Sequence, residues 1–168
     1  IARWNQLGDG AFIYPGQRLR LRGGGGSTPL GRDGATSAGD RPPPAAWLWP
    51  TDGAVVLGFG QSPKTASGLL IAGREGQPVR AAADGEVVYS GSGLTGYGQL
   101  VIIRHSSSWL SAYGHNQELM VREGQQVSAG QSIASMGEGA GREAVLHFEI
   151  RRDGTPVDPL RYLPLRRR

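Results

Sequence analysis

Val145-Leu146-His147-Phe148-Glu149-Ile150 is the stretch whose reading decides the fold. It alternates as a half-buried strand does, with Val145, His147 and Glu149 on one side and Leu146, Phe148 and Ile150 on the other. The second side is expected to face a core and the first a cleft or solvent. Similar short apolar runs precede it at 54–60, 69–73, 86–89, 100–105, 109–115 and 131–137, separated by glycine-rich segments. Residues 109–115 are the expected antiparallel neighbour of 100–105. The Asp84-Gly85 pair, flanked by β-formers, predicts a hairpin. Trp47-Leu48-Trp49-Pro50 opens the folded part, and its tryptophans are expected to pack over a core edge. Arg-Glu-Gly-Gln-x-Val-x-Ala occurs twice, starting at Arg74 and at Arg122. Two copies indicate two equivalent β-corners rather than a solenoid, which needs at least about three repeats. The fold class is therefore mainly β: an antiparallel sheet folded on itself as a sandwich or partly open barrel, with very little helix.

At 168 residues the chain has room for one ordinary domain and extensions. With no cysteine, disulfides and thiolate metal sites are excluded. No apolar run is long enough to span a bilayer as a helix. The net charge of +4 is unevenly placed, with Arg3, Arg18, Arg20 and Arg22 near one end and Arg166, Arg167 and Arg168 at the other. Such arginines can meet anionic lipid, cell-wall polymer or nucleic acid, or serve as a solvated tail. No leader is visible from Ile1, and the chain is read as part of a longer one.

Ala2, Trp4, Asn5, Leu7, Ile13, Pro15, Gly16, Gln17 and Leu19 resemble the second half of a LysM module, a small glycan-binding fold. The first half is missing, so residues 1–22 are expected to be weakly structured, because a half-module has few partners for its apolar residues. Residues 23–46, from Gly23-Gly24-Gly25-Gly26 to Pro42-Pro43-Pro44, read as a flexible, then stiffened, linker. Residues 47–168 form the main domain with a basic tail.

Residues 49–164 resemble the LytM, or lysostaphin-type, zinc peptidase domain. The resemblance rests on spaced elements: Phe59-Gly60, Gly68-x-x-Ile71-Ala72, Ala83-Asp84-Gly85, Tyr97-Gly98, Ile103-x-His105, Tyr113-x-His115, Gly124-x-x-Val127-x-x-Gly130 and Leu146-His147-Phe148-Glu149. Active members carry His-x-x-x-Asp on the second strand, then a lone His, then His-x-His. Three of these residues hold zinc, and the other two histidines handle protons and stabilise charge. A catalytic zinc takes three protein ligands and lowers the pKa of its water to about 7. Here Ala66 stands at the first ligand, Leu70 at the aspartate and Val145 at a catalytic histidine. His and Asp four apart on one strand would share a face, so Ala66 and Leu70 are expected side by side. The resemblance leaves only His147 of the ligands and His115 of the proton-handling pair. A four-ligand structural zinc site is worth roughly 10–16 kcal/mol. A quarter of that corresponds to roughly millimolar binding or weaker. No catalytic residue, metal or cofactor is therefore expected.

His105, at a strand end, is expected to hydrogen-bond within its loop. The emptied floor, with Ala66, Leu70, Tyr97, Tyr113, His115, Val145, His147 and Glu149, suits the apolar face of a helix or loop better than a hydrolytic water. Alternatively it is filled by the domain's own side chains. Leu70→Glu or Val145→Glu is expected to abolish docking without unfolding. The pattern resembles the divisome-associated, catalytically degenerate LytM factors of Gram-negative bacteria, the NlpD and EnvC group, on its NlpD-like branch. That resemblance implies a periplasmic, outer-membrane-associated protein, joined to the membrane only through an upstream anchor. Its implied partner is a zinc-dependent N-acetylmuramoyl-L-alanine amidase that splits septal peptidoglycan during daughter-cell separation. Peptidoglycan contact is possible, and nucleic acid is not an expected partner. The alternatives are a peptidoglycan metalloendopeptidase with an unusual metal site and a passive cell-wall binding module.

Overall fold

A computed structural model describes residues 44–166. The LysM-like segment, the linker up to residue 43, and Arg167 and Arg168 lie outside the described residues. Ten strands follow one another: β1 (Val55–Leu57), β2 (Leu69–Ala72), β3 (Pro78–Arg80), β4 (Gly85–Gly91), β5 (Gln99–Arg104), β6 (Trp109–Leu119), β7 (Gln126–Val127), β8 (Ser132–Met136), β9 (Val145–Arg152) and β10 (Thr155–Val157). The only helical elements among the described residues are two single 3₁₀ turns, Pro63–Thr65 and Pro159–Arg161. All strand pairs are antiparallel, and the main path runs β1-β2-β9-β6-β5-β4-β7 without closing on itself. β10 pairs with β9, and β8 bridges β3 to β6.

β9 is an interior strand, held by β2 on one side and β6 on the other. Its alternation appears as read, with a difference. Leu146, Phe148 and Ile150 are fully buried in the core, but Val145, His147 and Glu149 are also no more than 5% exposed. Both faces are covered, as for a strand in the middle of a folded sheet. The core joins Trp47, Ile71, Val79, Ile103, Tyr113, Ile133, Leu146 and Phe148. Trp47 enters it against His105 and Trp109, and Trp49 packs at its edge with Nε1 donating to the Pro164 carbonyl at 2.8 Å.

The two copies of Arg-Glu-Gly-Gln form the same corner. In each, the glutamine N–H donates to the arginine carbonyl, at 3.0 and 3.1 Å, and the glutamine Oε1 accepts from the arginine N–H. Gly76 and Gly124 have φ of 77° and 87°, the left-handed value a type II turn requires at its third residue. Gly58-Phe59-Gly60-Gln61 and Ser128-Ala129-Gly130-Gln131 close by identical bonds. The device is thus used four times, once wholly outside the recognisable repeat and once overlapping its end.

The expected Asp84-Gly85 hairpin does not form. β3 pairs with β8, while β4 pairs with β5 and β7. The Asp84 side chain instead accepts from the Ala129 N–H at 2.6 Å, and its carbonyl accepts from His105 Nδ1 at 2.6 Å. Gly85 answers to crowding rather than to a turn: a Cβ there would lie 2.5 Å from the Arg104 carbonyl oxygen and 2.6 Å from Ile103. His105 is hydrogen-bonded through its ring as expected, but outside its own loop: it bonds the Asp84 carbonyl ahead of β4 and lies 2.7 Å from the Ser111 hydroxyl on β6.

Candidate functional site

A cleft of about 260 Å³ opens where β2, β9 and β6 meet the loops around Tyr97 and 139–143. Strand register sets its floor. Leu70 pairs with His147, Ala72 with Val145, and Gly114 with His147 from the other side. Cross-strand partners share a face, so Leu70, His147 and Val145 form one patch. Gly114 keeps this patch reachable, because a Cβ there would come within 3.5 Å of His147 and 3.1 Å of the Tyr97 carbonyl.

Beside the patch lies a polar network centred on a buried carboxylate. The Glu149 carboxylate is 1% exposed and accepts from His147 Nε2 at 2.9 Å, Tyr97 OH at 3.0 Å and Ser67 Oγ at 2.6 Å, all on one oxygen. Arg151 Nε donates to the other oxygen at 2.8 Å and also reaches the Gly154 carbonyl. Burial raises the carboxyl pKa, but the His147 bond, the Arg151 charge and the Ser67 bond outweigh it and hold it at about 2. Glu149 is therefore ionised and can only accept. Burial, then the Glu149 charge, pushes the Tyr97 phenol above its usual value, which keeps it a donor.

His115 borders the cleft from an unusual backbone position. Its φ is 62°, and β6 slips register on both sides of it, against β5 between Gln99 and Val101 and against β8 between Asn116 and Glu118. This is a bulge in which a histidine occupies the left-handed place a glycine would take. The strained residue is pinned by its N–H to the Tyr97 carbonyl at 2.7 Å and by the Gly137 N–H to its own carbonyl at 2.9 Å. The His115 and His147 rings stand perpendicular, 6.1 Å between centroids. Burial, then the neighbouring His147, pushes the His115 pKa below its ordinary value.

The structure brings Leu70, Tyr97, His115, Val145 and His147 together around the cleft and sets Glu149 just beside it. A hollow of about 260 Å³ remains between these side chains, while Leu70, Val145 and His147 beneath it are largely covered by the domain itself. Two expectations fail. Tyr113 does not reach the cleft: it pairs with Phe148, is fully buried against it, and its hydroxyl accepts from the Ala82 N–H at 2.8 Å. Burial pushes its pKa up to about 12. Tyr113 and His115 are two apart, and a regular strand would place them on one face. The bulge reverses that parity. Ala66 is not on the strand with Leu70 either; it is the exposed C-cap of the first 3₁₀ turn, three residues before β2 begins. Its neighbours Lys64 and Ser67 line the cleft instead.

Val145→Glu and Leu70→Glu are also poorer probes than expected. The two sites are 2% and 7% exposed, and an unpaired carboxylate there is costly to the fold itself. Sequence reasoning missed Lys64, Ser67, Glu143 and Arg151. Arg151 was within reach, lying two residues beyond Glu149 on the same strand face. The others sit in turns and loops without periodic signal.

The donor set does not fit a catalytic zinc. His147 has one nitrogen left, its strand partner Leu70 has only methyl groups, and Val145 adds more hydrocarbon. Among the described residues, no group of three or more His, Cys, Asp or Glu side chains is placed to hold a metal ion.

The folded, unclosed antiparallel sheet is a peptidase-type scaffold. The chain belongs to peptidase family M23, whose model matches residues 64–159. It is 55% identical over 79% of its length to a lipoprotein NlpD/LppB homolog of Pseudomonas aeruginosa, covering 45% of that protein. It is 52% identical over 74% of its length to the murein hydrolase activator NlpD of Escherichia coli, covering 33% of it. The chain thus spans from a third to just under half of these relatives. Among solved structures it resembles a zinc-containing peptidase from Vibrio cholerae, with 30% identity, a TM-score of 0.61, and coverage of 68% of this chain and 39% of that one.

Proposed function

We propose that this domain is a non-catalytic activator of a periplasmic, zinc-dependent N-acetylmuramoyl-L-alanine amidase, acting in septal peptidoglycan splitting at the outer-membrane side of the cell. The observation that carries the reading is the cleft floor. Leu70 and Val145 flank His147 where the family's metal chemistry would need donors, yet a hollow remains above them. An M23 scaffold retained without ligands, in a chain 52% identical over 74% of its length to a protein named murein hydrolase activator, supports a partner-binding role over hydrolysis. Ala66, Leu70 and Val145 are the positions that remove the enzyme's own chemistry. The zinc and the bond cleavage belong to the amidase. Docking of an amidase segment in the cleft shifts the amidase toward its open state through tighter binding to that state.

The test is amidase stimulation by purified domain carrying Lys64→Glu or His115→Ala. Both residues line the cleft without belonging to the core. The reading predicts that folded versions of both variants bind the amidase about tenfold more weakly and stimulate it less. Unchanged stimulation by both would remove the cleft as the docking site.

A further inference from the structure

The mouth of the cleft carries one charge of each sign. Apart from its histidines, Lys64 and Glu143 are the charged residues that line it, and both are exposed. Neither side chain has an ion-pair or hydrogen-bond partner among the described residues. The buried charge beside the cleft is already answered, Glu149 by Arg151 at 2.8 Å. Arg142 precedes Glu143 in the chain but is not among the lining residues. The mouth is therefore neutral in sum and polar in direction.

Strand register sets that direction. β2 and β9 pair antiparallel, from Leu69 with Phe148 to Ala72 with Val145. Lys64 belongs to the 3₁₀ turn that leads into β2 at the Phe148 end, where Ser67 Oγ donates to Glu149 Oε1 at 2.6 Å. Glu143 belongs to the hairpin that leads into β9 at its Val145 end, where Glu138 bridges to Ala144. The two charges thus enter from opposite ends of a ladder about 10 Å long, at about 3.3 Å per residue. His115 lies within the electrostatic reach of both.

Both charges stand on hydrogen-bonded turns. Around Lys64 the Thr65 N–H donates to the Ser62 carbonyl at 3.0 Å. Across the hairpin the Gly139 N–H donates to the Glu143 carbonyl at 2.9 Å, and the Arg142 N–H to the Gly139 carbonyl at 3.0 Å. The Glu143 carboxylate folds back over Gly141, where a Cβ would collide with it. The backbone under each charge is set before a partner arrives, which lowers the ordering cost of pairing with it.

We infer that the mouth of the cleft sets the direction in which the partner's segment lies, with an acidic side chain of the segment meeting Lys64 and a basic one meeting Glu143. The inference rests on the docking function proposed above and adds the charge pattern of the docked segment. The two partner charges stand at least about 10 Å apart, which is about seven residues of helix or three of strand. A segment with the reverse order faces like charge at both ends and is rejected.

Charge reversal tests this, with the zinc-loaded amidase as probe and affinity read by titration. Lys64→Glu and Glu143→Lys are each expected to weaken binding about tenfold. Combining the two reversals restores the net charge of wild type but inverts its direction. The double variant is expected to bind more weakly than either single one. Both sites are exposed, so all three variants are expected to fold, which circular dichroism checks. Wild-type affinity for either single reversal, or a double reversal that binds within about threefold of wild type, overturns the inference. If His115→Ala still weakens binding in that case, docking in the cleft stands and only its direction falls. If His115→Ala too binds normally, the docking function itself falls.

Discussion

Replacing Glu149 by Gln tests the buried network beside the cleft. The carboxyl is 1% exposed, and its pKa falls from the ordinary 4.5 to about 2 on folding. Each tenfold change in an ionisation constant is worth about 1.4 kcal/mol, so ionised Glu149 contributes about 3 kcal/mol near pH 7. The sign follows from the depressed value. The contribution is fully present above about pH 4.5 and is lost as the pH falls toward 2, with more than half gone by pH 3. Gln has nearly the same shape and can still accept with one atom, but it has no charge for Arg151, and its amide nitrogen faces an arginine donor. With a urea slope of roughly 1.5–2 kcal/mol/M, the variant's midpoint at pH 7 should fall by about 1.5–2 M. The gap between wild type and variant should narrow steadily when the melts are repeated at pH 4 and 3. A midpoint within about 0.3 M of wild type at pH 7, or a gap that does not change with pH, would refute the assignment of stabilising charge to this network.

Tyr113→Phe removes the acceptor for the buried Ala82 N–H and should cost about 1–3 kcal/mol in a denaturant melt. The same variant should leave amidase stimulation by folded protein intact, because the phenol is in the core. Gly85→Ala forces a Cβ to 2.5 Å from the Arg104 carbonyl, so the β4–β5 pairing must shift; a loss of about 2 kcal/mol or more in urea is expected, and a neutral result would contradict the crowding. Gln125→Ala removes the side-chain acceptor at one type II corner while Gly124 keeps its left-handed backbone. The exposed site predicts a modest loss of about 0.5–1 kcal/mol, well below that of Gly124→Ala, measured side by side by thermal melting.

The sequence carries the mainly antiparallel class and the β5–β6 pair because alternation and turn chemistry are local. It carries the core face of β9 because Leu146, Phe148 and Ile150 are strongly apolar. It does not show that the opposite face is covered as well, since Ser67 and Tyr97, which pack on Glu149 and His147, come from loops distant in the chain and meet β9 only in the fold. Alternation places Tyr113 on the cleft face only if the strand is regular, and nothing around Gly114-His115 announces a histidine at φ 62°. The spacing of Ala66 to Leu70 is compatible with a shared strand. Pro63 instead starts a 3₁₀ turn that ends there. The Asp84-Gly85 pair looked like a turn because glycine serves both turns and crowded backbone, and only the neighbouring carbonyl of Arg104 tells the two apart. The site was legible through the residues that depart from the family's ligand pattern, and least legible where loops supply Lys64 and Glu143.

The central claim is that this M23 domain lends its cleft to another enzyme and cuts nothing itself. The most direct measurement is release of soluble fragments from labelled peptidoglycan sacculi by the amidase alone, by this chain alone, and by both together at matched zinc. The account predicts no release by this chain alone and a rate with both well above that of the amidase alone. Release by this chain alone, rising with added zinc and abolished by a chelator, would contradict it.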